Sequence, residues 1–187
     1  MRTLIVTENM SLDGVISPMD GWFAPGAADD DLRAVGVEHR EAADALVLGR
    51  VTYEQFAGFW PAQADDPAGT GRYLDRVAKY VVSSTLPRAD WANTTILRGP
   101  IVDELAALKQ QPGADIVVTG SATLAAALVP TGLVDRYRLF VYPVVQGHGR
   151  RLFVDGARAR LDLVAARAFA SGVALLEYGA ARVRARA

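Results

Sequence analysis

Hydrophobic positions along the chain follow two alternating rhythms. Four short runs are apolar without interruption: Leu4-Ile5-Val6, Ala45-Leu46-Val47-Leu48, Tyr80-Val81-Val82 and Ile116-Val117-Val118. A strand covered by helices on both faces reads this way, whereas a half-exposed strand alternates. Helical spacing separates the runs. Tyr53, Phe56 and Trp60 recur at i, i+3 and i+7, and Leu32, Val35 and His39 do so more loosely. Ile101, Leu105 and Leu108 form a stripe between Pro100, suited to a helix start, and Pro112-Gly113, suited to a stop. Ser121, Leu124 and Leu128 form another, closed by Pro130 and Gly132. Strand–helix–strand repetition predicts a largely parallel sheet wound on both sides.

The final third differs. Tyr137 to Val145 is rich in aromatic and β-branched residues, and the runs Leu161–Ala170 and Val173–Tyr178 flank the turn signal Ser171-Gly172. The expected architecture is a mixed, mostly parallel sheet of about eight strands, with helices on both faces and a C-terminal antiparallel hairpin. No linker or repeat divides it, so residues 1–187 are expected to form one domain. Ser17–Asp31 and Pro61–Gly71, rich in Pro, Gly and Asp, are expected to be loops of the kind that wall a site. Trp22 and Phe23 in the first of these either meet a ligand, beneath a loop that closes as a lid, or anchor the loop to the core.

Composition narrows the chemistry. No apolar stretch approaches the ~20 residues of a membrane span, and the opening residues meet Glu8 too soon for a signal peptide. Net charge is −1, and alternating Arg182, Arg184 and Arg186 make the one basic cluster, so neither membrane nor nucleic acid is an expected partner. The chain has no cysteine, which removes disulfides, thiol nucleophiles, cysteine–zinc sites and iron–sulfur clusters. His39 and His148 stand far apart without ligand-like neighbours, so no metal is expected. A cytoplasmic location fits, and demanding chemistry would fall to an organic cofactor.

Three junctions after apolar strands share one property: Leu48-Gly49-Arg50-Val51-Thr52, Val82-Ser83-Ser84-Thr85, and Thr119-Gly120-Ser121-Ala122-Thr123-Leu124. Each offers hydroxyls, glycine or a cation at a strand's carboxyl end, where doubly wound sheets bind ligands. Helix N-termini there attract phosphates. Gly49 and Gly120 would let phosphate approach the backbone, and Arg50 could grip it. Singly, Thr52 or Ser121 reads first as an ordinary N-cap, and it is the three junctions together that point to a ligand. No G-x-G-x-x-G or P-loop is present. A serine hydrolase is disfavoured because Ser121 lacks its usual glycine frame. Asp29, Asp30 and Asp31 read as compensation of a helix dipole.

Met10-Ser11-Leu12-Asp13-Gly14-Val15-Ile16, Leu48-Gly49-Arg50-Val51-Thr52-Tyr53-Glu54, Val81 to Leu86, Gly120 to Leu124, and Leu133 to Leu139 followed by Pro143 to Phe153 together resemble the dihydrofolate-reductase-like superfamily. Within it they are most similar to the reductase (C-terminal) domain of the bifunctional riboflavin-biosynthesis deaminase/reductase. The resemblance implies a dihydrofolate-reductase-like three-layer fold. It implies NADPH near Gly49, Arg50, Thr52 and Gly120, Ser121, Ala122, Thr123, Leu124, with Ser83, Ser84 and Thr85 toward the adenosine 2′-phosphate, where Arg88 or Arg98 could add charge. It implies a homodimer built partly from the last strands. A small-molecule substrate would then sit beside Asp13, Trp22, Phe23, Tyr53 and Phe56. Asp13 is the candidate catalytic group, although Asp13-Gly14 also suits a plain turn. Asp29, Asp30, Asp31 and Glu38 stay open as proton sources, and Arg33 and Arg40 as holders of a substrate phosphate. Hydride transfer to a C=N or C=O bond is the expected activity. The alternatives are a pterin reductase and a non-catalytic dinucleotide-binding module.

Overall fold

The four continuous apolar runs become neighbours in the middle of an eight-stranded sheet. A computed structural model of the chain describes residues 1–19, 21–23, 29–63, 66, 68–156 and 158–181. Arg182, Arg184 and Arg186, and much of the Ser17–Asp31 loop beyond Phe23, lie outside the described residues. In chain order the elements are β1 (Leu4–Ser11), β2 (Val15–Ser17), α1 (Asp30–Glu41), β3 (Ala43–Gly49), α2 (Arg50–Phe59), α3 (Thr70–Arg76), β4 (Ala78–Val82), β5 (Thr94–Leu97), α4 (Ile101–Gln110), β6 (Asp115–Val118), α5 (Ala122–Leu128), β7 (Arg136–Tyr142), β8 (Arg150–Arg151), β9 (Leu161–Ala168) and β10 (Ala174–Ala180). The main sheet runs β5-β4-β3-β6-β1-β7-β10-β9, and β2 pairs with β8 separately. Strands β1, β3, β4, β5, β6 and β7 are mutually parallel, and β10 runs antiparallel to both of its neighbours.

Alternate residues of each central strand enter different cores, which is why the runs carry no polar positions. Leu4, Val6, Val47, Ile116 and Val118 pack beneath Leu105, Leu108, Leu124 and Leu128 of α4 and α5. Leu46, Leu48, Val81 and Val117 pack beneath Tyr53 and Leu74 of α2 and α3 on the other face. Further along that face, Val35 of α1 meets Phe140, Phe169, Val173 and Leu175. Winding brings β6 back from the outer edge into the gap between β3 and β1.

Some boundaries move. Pro143 stops β7 at Tyr142, short of Val145. The hairpin strands end at Ala168 and resume at Ala174, although Phe169 N–H still donates to Val173 O and Gly172 turns with φ +83°. α3 begins within what reads as the Pro61–Gly71 loop, with Asp66 accepting from the N–H groups of Thr70 and Gly71.

Buried charges tie elements together. Lys109 Nζ donates to Leu133 O and Asp135 Oδ2 (2.7 and 2.5 Å), and Asp135 accepts Leu4 N–H at 2.7 Å, pinning α4 to the starts of β1 and β7. Lys79, fully buried, donates to Leu74 O and Val77 O and lies 4.7 Å over the Trp91 ring. Asp29 is the N-cap of α1, accepting from Leu32 N–H at 3.0 Å, and its other oxygen accepts Ser171 N–H of the hairpin turn at 2.8 Å. Asp29→Ala therefore removes a cap and strands a part-buried N–H. Urea unfolding is expected to show a loss of about 2 kcal/mol, and Asp29→Asn should recover part of it. An unchanged midpoint for Asp29→Ala would show that the cap does not couple helix to hairpin.

Candidate functional site

Because β4, β3, β6 and β1 are adjacent and parallel, their carboxyl ends share one edge. The three junctions singled out in the sequence thus become a continuous line, with the Asp13 turn after β1 at its end. At ~4.8 Å between strands it spans ~14 Å from β4 to β1.

At its centre the β3–α2 and β6–α5 junctions touch. Gly49 N–H donates to Gly120 O at 3.2 Å. A Cβ on Gly49 would lie 2.3 Å from Ser121 Oγ, and one on Gly120, whose φ is +71°, would lie 2.9 Å from Thr52 Oγ1. Each glycine admits the other junction's hydroxyl residue. Besides clearance toward phosphate, this mutual contact is a second reason for glycine at both positions. Neither hydroxyl makes a cap bond: Ser121 is the N-cap residue of α5 but its side chain does not cap it, Gly49 is the cap residue of α2, and Thr52 lies inside the first turn of α2. Leu124 turns its side chain into the core, while Ala122 is half-buried and Thr123 is exposed.

Cations flank this centre. Arg50 is half-exposed, 3.6 Å from Glu54 one turn along α2. Arg150 of β8 donates to Thr123 Oγ1 at 2.9 Å, a contact across 27 residues that no local pattern signals. Just after β4, Ser83 Oγ accepts the N–H groups of Thr85 and Leu86 (3.2 and 2.9 Å), which folds the turn and leaves Ser84 and Thr85 exposed. Arg98 braces that turn through Leu86 O and Pro87 O (2.6 and 3.2 Å), whereas Arg88 pairs with Asp90.

Asp13 is a clamp. Its carboxylate accepts Ser11 Oγ–H (2.7 Å), Gln146 N–H (3.0 Å) and Gly147 N–H (2.9 Å), with Arg151 at 3.6 Å. The Ser11 hydroxyl and those amides hold its carboxyl well below the usual carboxylate range. So held, the carboxylate joins the turn after β1 to the backbone at Gln146 and Gly147. The same bonds show that Asp13-Gly14 does form a turn, with Gly14 at φ +86°. The acids of α1 are engaged elsewhere: Asp29 as a cap, Asp30 with Arg33 and Asp31 with Arg167, while Glu38 is exposed.

The expected aromatic wall divides. Trp22 and Phe23 stack edge-on against Tyr142 at the end of β7, with centroids at 5.5 and 5.6 Å, and Trp22 Nε1 donates to Pro18 O. They are anchored beside the edge. Tyr53 and Phe56 belong to the core under α2, where Tyr53 Oη accepts Trp91 N–H. Their stripe is packing, and they do not face Trp22.

In the sequence Glu8 ends the opening apolar run and carries no assigned role in the site, although a lone acid within a strand is a signal of one. It is buried in β1 and accepts Gly120 N–H at 3.2 Å, directly behind the central junction. Burial pushes its carboxyl up to about 8. Among the described residues no group of three or more His, Cys, Asp or Glu is placed to hold a metal ion, and no helix is long and apolar enough to cross a membrane.

Residues 2–175 match the family model of the RibD C-terminal domain. The chain is 30% identical over 180 residues to the uncharacterized protein YyaP of Bacillus subtilis (strain 168), covering 95% of this chain and 94% of that one. Its fold resembles a pyrimidine reductase-like protein from Corynebacterium diphtheriae (TM-score 0.67, 16% identity, 96% and 92% of the two chains). It also resembles dihydrofolate reductase from Enterococcus faecalis, solved in complex with NADP(H) (TM-score 0.64, 17% identity, 95% and 96%). These likenesses match the three-layer fold expected from the motifs.

Glu8 sets a pH signature. Unfolded, it titrates near 4.5; folded, near 8. The folded state keeps the proton longer, so Glu8 is no burden at low pH, and stability falls as pH rises from about 4.5 to about 8 before levelling. Thermal melts from pH 5 to 9 are expected to decline more steeply for the wild type than for Glu8→Gln. Identical slopes would show that Glu8 is not buried as an acid.

Proposed function

The chain belongs to the RibD C-terminal domain family, a reductase family, and from that membership we propose that it is an NADPH-dependent reductase that delivers hydride to a C=N or C=O bond of a small heterocyclic or carbonyl substrate. The observation that carries this reading is the central junction. Two helices on opposite faces of the sheet begin at one point, α2 does so without a side-chain cap, and neither glycine there carries a Cβ. Open backbone N–H groups beside Arg50 and Arg150 suit a diphosphate.

The rest of the edge then takes its place. Toward β4, the exposed Ser84 and Thr85 and the guanidinium of Arg98 suit a 2′-phosphate. Toward β1, the ~14 Å line ends at the Asp13 turn, where the clamp on Gln146 and Gly147 fixes a floor beside the reacting ring. Trp22, Phe23 and Tyr142 supply an apolar wall that keeps water from it. The bound dinucleotide supplies the hydride; the protein supplies orientation. A pterin reductase is less well supported, because the acids of α1 are used for capping and surface pairs. The engagement of Asp13 favours one second reading, a dinucleotide-binding module without turnover. Single-turnover oxidation of NADPH against imines, pterins and carbonyls separates the two: absorbance at the reduced-nicotinamide band decays with at least one substrate for a reductase and with none for a binding module.

Fluorescence titration is expected to give tighter binding of NADPH than of NADH. Arg50→Ala should weaken NADPH by about 1.5–3 kcal/mol, the range for a charged hydrogen bond. Equal affinities for the two cofactors, or an unchanged Kd in Arg50→Ala, would remove those assignments.

The homodimer implied by the resemblance is proposed to form on β9. This edge strand is exposed along nearly its whole length, with Leu163 58% and Val164 53% exposed. Uncovered strand edges with apolar side chains are ordinarily paired or buried. Sedimentation equilibrium at micromolar concentration should show twice the chain mass, and Leu163→Asp should shift it to one. A wild type sedimenting at 20.0 kDa would overturn the dimer.

A further inference from the structure

A cavity lies at the opposite edge of the sheet from the dinucleotide junctions. It holds about 860 Å3 between the last turn of α1 and α3, and its walls include Val37, Arg40, Arg72, Tyr73 and Arg76. Ala43, the first residue of β3, and Val77, just before β4, also line it. At ~3.3 Å per residue, the seven residues of β3 put it ~20 Å from Gly49. It is no extension of the junctions.

The walls of this cavity carry Arg40, Arg72 and Arg76 against Glu41, Asp44 and Asp75, and its free hydrogen-bond donors are guanidinium groups. Asp44 is taken by the Arg2 guanidinium and by Ala114 N–H at 3.0 Å. Asp75 accepts Trp91 Nε1–H at 2.9 Å. Asp66, close behind Arg40, is filled by the N–H groups of Ala68, Thr70 and Gly71. Glu41 is left, on the exposed rim. Against it stand three guanidinium groups. Arg40 is half-buried and spends one donor on Ala68 O at 2.8 Å, and its burial disfavours the charge. Arg72 and Arg76 make no ion pair or side-chain hydrogen bond among the described residues. They sit four apart on α3, so they share a face and repel one another. Gly69, at φ +68°, leaves the Arg72 Nη2 3.7 Å from the place a Cβ would take. Dipole compensation accounts for Arg40 and Arg76 in the last turns of their helices. It does not account for Arg72.

We propose that the cavity between α1 and α3 is a second binding site, for a small phosphate-bearing anion, separate from the edge assigned to the dinucleotide. Three guanidinium charges carried by two helices exceed the single charge of a carboxylate, whose acceptor sites lie in one plane. A phosphate offers three oxygens and close to two charges, and it can take donors from several directions. Such a ligand would relieve the Arg72–Arg76 repulsion and compensate the burial of Arg40. The Tyr73 phenol, which burial pushes up to about 12, stays neutral and can donate a further hydrogen bond.

The test is calorimetric titration of inorganic pyrophosphate into the full chain held in excess NADPH. Saturable binding is expected, weakened about tenfold or more in the double variant Arg72→Gln/Arg76→Gln, whose lost charged bonds set that scale. Both residues are exposed, so circular dichroism and melting temperature should match the wild type, and the variant's NADPH affinity should be unchanged. Absence of saturable binding, or equal binding by the double variant, would overturn the site. Citrate binding as tightly as pyrophosphate would overturn its assignment to phosphate. If the chain failed to bind NADPH at all while the double variant still lost pyrophosphate, the reductase reading would fall and this site would stand.

Discussion

Two glycines face one another across adjacent strands, and neither position has room for a Cβ. The rest of the arrangement follows from that contact. It requires β3 and β6 to end level, as the pairing of Val47 with Val118 ensures. It requires β6 to return into the gap between β3 and β1, instead of extending the sheet beyond β5. It also lets α2 and α5 start together and leave toward opposite faces, so their N-terminal turns converge where ridges of side chains would otherwise hold them apart. Glu8 stands behind the contact and fastens Gly120 to β1. A buried acid is a costly device. Its proton removes most of that cost, and one backbone bond recovers part of the rest.

Much of the fold was legible because the central strands are apolar on both faces. That signal fails at the margins. β5 reads Thr94-Thr95-Ile96-Leu97 and lies at the sheet's edge, where one side meets solvent and polar residues cost little. α3 is seven residues long, too short for a periodic stripe, and rests on Asp66 as a cap and on Lys79 at its far end. The hairpin was visible, but its apolar run did not signal that Leu163 and Val164 of β9 would be exposed.

The site was legible as a set of junctions and illegible as a charge distribution. Strand ends with glycine and hydroxyls can be read along the chain, since each is a local feature. Arg150 reaching Thr123, and Arg98 bracing the Ser83 turn, depend on which loops lie side by side. Asp13 could be found from its motif, but its partners could not: of its three donors, two lie 133 and 134 residues away. Tyr53 and Phe56 show the converse. Their helical stripe has the same appearance whether it lines a ligand or a core, and the neighbours Leu74 and Val81 decide for the core.

The buried cations carry one more consequence. The sequence contains two lysines, Lys79 and Lys109, and both are enclosed, with their ammonium groups held by carbonyl oxygens. Every solvent-facing basic side chain is therefore an arginine or a histidine. Reagents and enzymes that acylate side-chain amines would find no lysine on the folded surface. Any such adduct would report that α3 or α4 had come away from the sheet, which makes amine labelling a direct gauge of local opening in this protein.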